Sequence, residues 1–192
     1  MTSDPFFDEL RRRLPGVRIV VLPGGTDVAA AAEPRTPPAD VDLATAAARA
    51  SRARAAALAL LRDVWPSASA GSAPPTTVQH AWQPDPGTGE VVASVTARVV
   101  GAIPDVRGSL TGVADALDGA GWQVVARRVG PGGARLHADR GDRRLDVVAW
   151  GPEGPWDVTA GMTTAVGQHA AAVSATGAVD AAWQDEAPEV TL

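Results

Sequence analysis

The amino-acid sequence predicts an α+β fold, with helices packed on one face of an antiparallel sheet of about five to seven strands. Three observations carry that expectation. Some stretches repeat apolar residues at helical spacing, while others alternate apolar and polar residues with a period of two. The alternating stretches follow one another instead of interleaving with helices. The turns between them are too short for parallel crossovers, so neighbouring strands must run antiparallel.

At the N-terminus, Asp4 to Leu14 predicts a short helix. Ser3 or Asp4 can cap it, Pro5 suits its first turn, acids precede Arg11–Arg13, and Phe6, Phe7, Leu10 and Leu14 form a stripe. Pro15-Gly16 ends it, and the β-branched run Val17 to Leu22 reads as a strand. Residues 1–22 thus form an N-terminal helix–strand unit, followed by a Pro-, Gly- and Ala-rich linker over 23–38. The main domain, residues 39–162, opens with a long helix that Asp40 or Asp42 can cap and that Pro66 is expected to end near Trp65. Leu43, Ala47, Ala50, Ala57, Leu61 and Val64 give it a narrow face of mostly small residues, which lets a sheet approach closely.

Val78, His80 and Trp82 then alternate with Gln79 and Gln83, Pro84 to Gly89 turns, and Glu90 to Val100 returns as the second arm of a hairpin. A second helix over Asp105–Leu117 places Val106, Leu110, Val113 and Leu117 on one face and closes at Gly119 and Gly121. Gly108 and Gly112 within it suggest a close approach to the sheet. Strands over Trp122–Val129, Ala134–Asp139, Arg143–Trp150 and Trp156–Met162 complete a meander. Residues 163–192 lose the pattern and read as an acidic, Ala-rich tail, weakly helical or disordered.

Composition removes whole classes of chemistry. With no Cys, the chain has no disulfides, Cys-based zinc sites, iron–sulfur clusters or thiol catalysis. All 17 basic residues are Arg and Lys is absent, which also removes the phosphate-loop lysine. Tyr and Asn are absent too, a bias expected of a GC-rich genome. Residues 1–144 carry a net +2, whereas residues 145–192 carry seven acids and no basic residue. That end is a solvated tail or a docking element for a basic partner. An acidic pI of about 5.1 without a basic, aromatic stripe argues against nucleic acid. The N-terminal residues hold no long apolar run before their charges, and no stretch resembles a membrane span, so a cytoplasmic protein is expected. No cofactor and no metal site is indicated.

Few residues suggest chemistry. His80 shares a strand face with Val78 and Trp82, the pattern of a packed histidine. Arg135, His137 and Asp139 share the opposite kind of face, and a histidine beside a carboxylate there can act as a base. His80, His137 and Asp139 are therefore the catalytic candidates. His169 stands in the Ala-rich tail. No nucleophile elbow or glycine-rich phosphate cradle is present. Arg140-Gly141-Asp142 reads as a charged turn between strands. Of six Trp, Trp82, Trp122, Trp150 and Trp156 fall at or near element ends, as core plugs or as a binding cluster at one sheet edge, and they are the binding candidates.

Leu117–Val148, with Gly121-Trp122-Gln123-Val124 at its start and Leu136-His137-Ala138-Asp139-Arg140-Gly141 in its middle, is similar to a pattern that recurs in actinobacterial proteins, some of them lipoproteins. There a long helix precedes a hairpin, and a helix ending in Gly-Trp leads into an antiparallel meander; the similarity spans roughly residues 40–162. The lipoproteins carry a lipidated Cys, which this chain lacks. The resemblance implies a non-catalytic accessory role, beside a secretion system, and carries over no functional residue. The leading expectation is a non-enzymatic protein-binding or accessory domain, with a protein partner or a second copy of itself. The alternative is a small ligand-binding protein or enzyme with a pocket between the long helix and the sheet, lined by His80, His137 and Asp139.

Overall fold

The structure, a computed structural model, describes residues 9, 12–13, 40–69, 74–84, 90–100, 105–130, 132–151, 154–175, 179–180 and 183. Of the N-terminal helix–strand unit only Glu9, Arg12 and Arg13 fall among them; they are helical, and Glu9 pairs with both arginines. The rest of that unit, and the linker, lie outside the described residues.

Helix α1 spans Leu43–Ala68. Asp42 caps it, one carboxylate oxygen accepting the Thr45 backbone N–H at 2.9 Å and the other the Thr45 hydroxyl at 2.7 Å. Its buried face runs through Ala46, Ala50, Ala57 and Leu61, all essentially inaccessible. Leu43, expected in that stripe, is half exposed. The entry to the helix is anchored instead by Val41, whose backbone exchanges hydrogen bonds with the Gln168 amide and whose carbonyl also faces the His169 Nε2 at 3.0 Å. Pro66 does not end the helix. It sits in the last turn, where its missing N–H forfeits one bond, and the Ser69 N–H still closes on the Trp65 carbonyl at 2.8 Å.

Strands β1 (Thr77–Pro84) and β2 (Glu90–Val99) form the expected hairpin. Helix α2 (Val106–Gly119) then carries the chain to the far edge of the sheet. Asp105 caps α2 by accepting from the Gly108 N–H at 2.8 Å, and a Cβ on Gly108 would collide with that carboxylate. Gly108 therefore serves the cap, and a Cβ on Gly112 would meet nothing; neither marks a close approach to the sheet. At the other end the Trp122 N–H reaches back to the Leu117 carbonyl and the Gly121 N–H to that of Asp118, with Gly121 at φ +79°. This is the left-handed closure that only glycine adopts cheaply, and it folds Trp122 onto the same core as Leu117.

The meander β3 (Gln123–Val129), β4 (Gly133–Arg140), β5 (Arg143–Ala149) and β6 (Trp156–Ala165) runs back across the molecule. It ends with β6 antiparallel to β2 along the full ten residues, from Glu90 opposite Ala165 to Val99 opposite Trp156. Beyond β6 the expected formless tail contains more structure. A single turn over Gly167–His169 leads into α3 (Ala170–Ser174), and β7 (Val179–Asp180) pairs with β1 at Gln79 and His80. The sheet order is β3-β4-β5-β6-β2-β1-β7, antiparallel throughout. Helices pack against an antiparallel open sheet, an α+β architecture.

The registers sort the side chains into two faces. Across the sheet, His80, Val95, Ala160, Leu145, Ala138 and Val124 stand in one row beneath the helices and are buried. One residue along, Gln79, Thr96, Thr159, Asp146, His137 and Val125 form a row on the opposite face. That face is polar because no described helix covers it.

Candidate functional site

His137 and Asp139 are brought together as the strand pattern implied, and a partner the sequence did not suggest completes the cluster. Asp146, directly opposite His137 on β5, faces its Nδ1 at 3.0 Å, while Asp139 faces its Nε2 at 2.8 Å. Both carboxylates only accept, so both ring nitrogens donate and the ring is an imidazolium. Hydrogen bonds to Asp139 and then Asp146, acting against the cost of burial, raise the His137 pKa from 6.5 to about 9. Burial pushes Asp146 up, but the bonds from His137 and Arg135 outweigh it and leave it at about 2. The His137 bond likewise holds Asp139 below the usual carboxylate range. A histidine locked in this way has no lone pair at neutral pH with which to take a proton or bind a metal. Its role is to join β4 to β5.

The rest of the uncovered face is wired the same way. Arg135 Nε donates to Asp146 at 2.6 Å, and Arg144 lies 3.4 Å from Asp139. Arg98 grips Asp157 with two bonds, at 2.7 and 2.9 Å, and the Trp150 indole N–H adds a third at 2.9 Å. Arg135, Arg144, Asp146, Trp150 and Asp157, together with Ser94, Thr96 and Thr159, line a shallow depression of about 310 Å³. Its charged groups Arg135, Arg144, Asp146 and Asp157 are all paired with one another or with neighbours, so the face offers an incoming ligand little uncompensated charge.

His80 lies on the other side of the sheet, beneath α1, four strands away from His137. The constellation of His80, His137 and Asp139 around one pocket is therefore not formed. His80 is 1% exposed, and neither ring nitrogen has a hydrogen-bond partner. Burial, reinforced by the nearby Arg54 charge, lowers its pKa from 6.5 to about 4, so it is neutral at pH 7. Arg54 comes down from α1 with its guanidinium carbon 4.9 Å from the centre of the Trp82 ring. It is 5% exposed, its Nη2 is unpartnered, and no carboxylate among the described residues pairs with it. A cation in that state costs several kcal/mol. Sequence reasoning passed over Arg54, because an arginine among alanines on a helix reads as a solvent-side residue.

A third feature runs along the outer flank of α1. Three adjoining depressions share lining residues: one of about 440 Å³ beside Arg49, Arg52 and Asp142, one of about 410 Å³ beside Ala59 and Arg143, and one of about 190 Å³ between α1, α2 and the β4–β5 turn. Ala56 and Met162 belong to the first two, and Leu60, Asp63 and Arg143 to the last two, so they form a continuous groove. Its floor is apolar where Val64, Leu117, Trp122 and Leu145 meet. Arg140 and Arg143 stand opposite each other across the Gly141-Asp142 turn and, like Arg52, make no ion pair among the described residues. The tripeptide Arg140-Gly141-Asp142 is thus a tight turn between strands, as its sequence suggested.

The tryptophans do not gather into a surface. Trp82, Trp122 and Trp156 are 6%, 6% and 1% exposed and belong to the core, whereas Trp150 is 52% exposed. Trp156 donates to the Ala68 carbonyl at 2.7 Å, tying β6 to the end of α1, and Trp65 packs against Trp183 with ring centres 5.2 Å apart. Among the described residues no group of three or more His, Asp and Glu is arranged to hold a metal ion, and no helix is long and apolar enough to cross a membrane. No known protein family, curated protein or solved structure matches the chain.

Proposed function

We propose that this chain is a non-enzymatic protein-binding domain of accessory type, and that its groove along α1 takes an extended acidic segment of a partner protein. The observation that carries the proposal is the contrast between two surfaces. On the uncovered sheet face arginine and carboxylate are matched, while the groove sets Arg49, Arg52, Arg140 and Arg143 against only Asp63 and Asp142, none of them ion-paired among the described residues, above an apolar floor. From Arg49 to Ser67 the groove follows α1 for about 27 Å, the length of about eight residues of extended chain. Acidic side chains at alternate positions of such a segment meet the arginines, and the intervening small apolar residues face the floor. Charge of this kind sets partner choice and encounter rate more than affinity.

The test is fluorescence anisotropy with a labelled eight-residue peptide of alternating Glu and Ala, compared with an Arg–Ala peptide of the same length. The Glu peptide binds, binding weakens with salt, and the variant carrying R52E, R140E and R143E binds at least tenfold more weakly with an unchanged circular dichroism spectrum. Equal binding of the two peptides, or an unaffected triple variant, refutes the reading. Size-exclusion chromatography in parallel shows whether a second copy, through its own acidic end, competes for the groove.

A further inference from the structure

The depression on the uncovered sheet face has features that its ion pairs do not explain. Along β2 its lining reaches from the level of Asp157, opposite Arg98, to Val92, six residues or about 20 Å. Its volume of about 310 Å³ lies at the lower end of the range for small-molecule sites. At the bottom Val92, Ser94 and Asp157 are 4%, 5% and 7% exposed, so polar groups are seated deep in it. Gly161 keeps the floor open, since a Cβ there would come within 3.0 Å of a Val92 methyl and 3.3 Å of the Arg144 Cβ. At the Asp157 end stands Trp150, a large aromatic side chain left 52% exposed. We infer that this depression binds a short neutral oligosaccharide, with Trp150 as the plate on which one sugar ring lies.

The chemistry selects that ligand class. The lining balances Arg135 and Arg144 against Asp146 and Asp157, so a charged ligand would be attracted by one sign and repelled equally by the other. An apolar ligand would strip water from these groups and from Ser94 without replacing its hydrogen bonds. A sugar does neither. Pairing cancels charge but does not exhaust hydrogen bonding, because a guanidinium and a carboxylate hold more N–H groups and lone pairs than one pair uses. The Thr96 and Thr159 hydroxyls share one bond at 2.8 Å, which leaves the other hydroxyl hydrogen for an incoming oxygen. Gln83 adds an amide, both donor and acceptor. A pyranose ring turns C–H groups outward from one face and hydroxyls from its edge, which matches an aromatic plate beside a polar floor. The plate is also set in advance: Asp157 holds the Trp150 indole N–H at 2.9 Å and is itself held by two bonds from Arg98.

The experiment titrates the protein with maltotriose, cellotriose and tri-N-acetylchitotriose in turn, by calorimetry at millimolar sugar. At least one of the three binds, and its affinity is unchanged by added salt, unlike that of an acidic peptide for the groove. Trp150→Ala weakens binding about tenfold or more, and Thr159→Val, of the same shape without the hydroxyl, weakens it severalfold. In the ¹H–¹⁵N spectrum the same sugar shifts one indole N–H resonance of the wild type, the one that Trp150→Phe deletes. That arm and Thr159→Val decide the matter if Trp150→Ala does not fold. The proposal is overturned if none of the three sugars binds, if binding falls steeply with salt, if a folded Trp150→Ala binds as the wild type does, or if the Trp150 resonance does not move.

Discussion

Raising the pH from 6.5 to above 9 should destabilise this protein through one side chain. His137 titrates near 6.5 in an unfolded chain and at about 9 when folded, so over this range the folded state keeps a proton that the unfolded state releases. The contribution is complete below pH 6.5 and is lost progressively as the pH climbs through 9. At about 1.4 kcal/mol per pH unit, the interval corresponds to about 3 kcal/mol, and the ring is buried enough for most of that to survive solvent screening: its side chain is 31% exposed. The composition makes the measurement clean. The chain has no Cys, Tyr or Lys, so the α-amino group is the other group whose ordinary pKa falls in this window. Urea unfolding followed by tryptophan fluorescence at pH 6.5, 7.5, 8.5 and 9.5 reads the loss directly. His137→Gln should flatten the curve across the range. A wild-type curve as flat as the variant's, or a His137 ring titrating near 6.5 by NMR, would falsify the doubly bonded imidazolium and with it the assignment of this cluster to structure.

Other predictions follow from the same geometry. His80 works in the opposite direction: its folded pKa of about 4 lies below the unfolded value, so stability falls by about 3 kcal/mol as the pH drops from 6.5 to 4. Wild-type stability therefore peaks near pH 6.5, and His80→Leu removes most of the loss between pH 6.5 and 4, as urea unfolding at pH 4, 5 and 6 will show, while the lowered Asp139 and Asp146 carboxyls still give a loss at lower pH. Asp157→Asn weakens the two-bond grip of Arg98 and the Trp150 contact, for a loss of about 2 kcal/mol with a change in Trp150 emission. Retained stability would mean that Arg98 finds another partner. Gly121→Ala forces a side chain into a left-handed conformation and costs about 1 kcal/mol by chemical denaturation, while peptide binding by the folded protein is unchanged.

The elements themselves were legible because each is written in local chemistry. Asp42 and Asp105 announce helix starts, Gly121-Trp122 a helix end, and the period-two runs from Val78 to Met162 the strands. Where reading failed, a partner distant in sequence had decided the outcome. Pro66 is tolerated because the turn around it is closed by Ser69 and buried against β6. The tail after Met162 looks formless by composition, yet Gln168 and His169 clamp Val41 more than 120 residues earlier, and β7 pairs with β1. No window of alanines, glycines and threonines carries that information.

The sequence by itself determined the α+β class, the absence of thiol and lysine chemistry, and the two faces of every strand, since alternation and composition are properties of the chain alone. The tertiary structure decided which strands meet. By placing β6 beside β2 it joined hairpin and meander into one sheet with His80 and His137 on opposite sides, and the β4–β5 register set Asp146 against His137, which turned a candidate base into a fixed cation. It also turned Arg54 inward, onto Trp82. Register and burial depend on contacts between residues far apart in the chain, and those contacts determine whether a polar group is paired, exposed or buried without a partner.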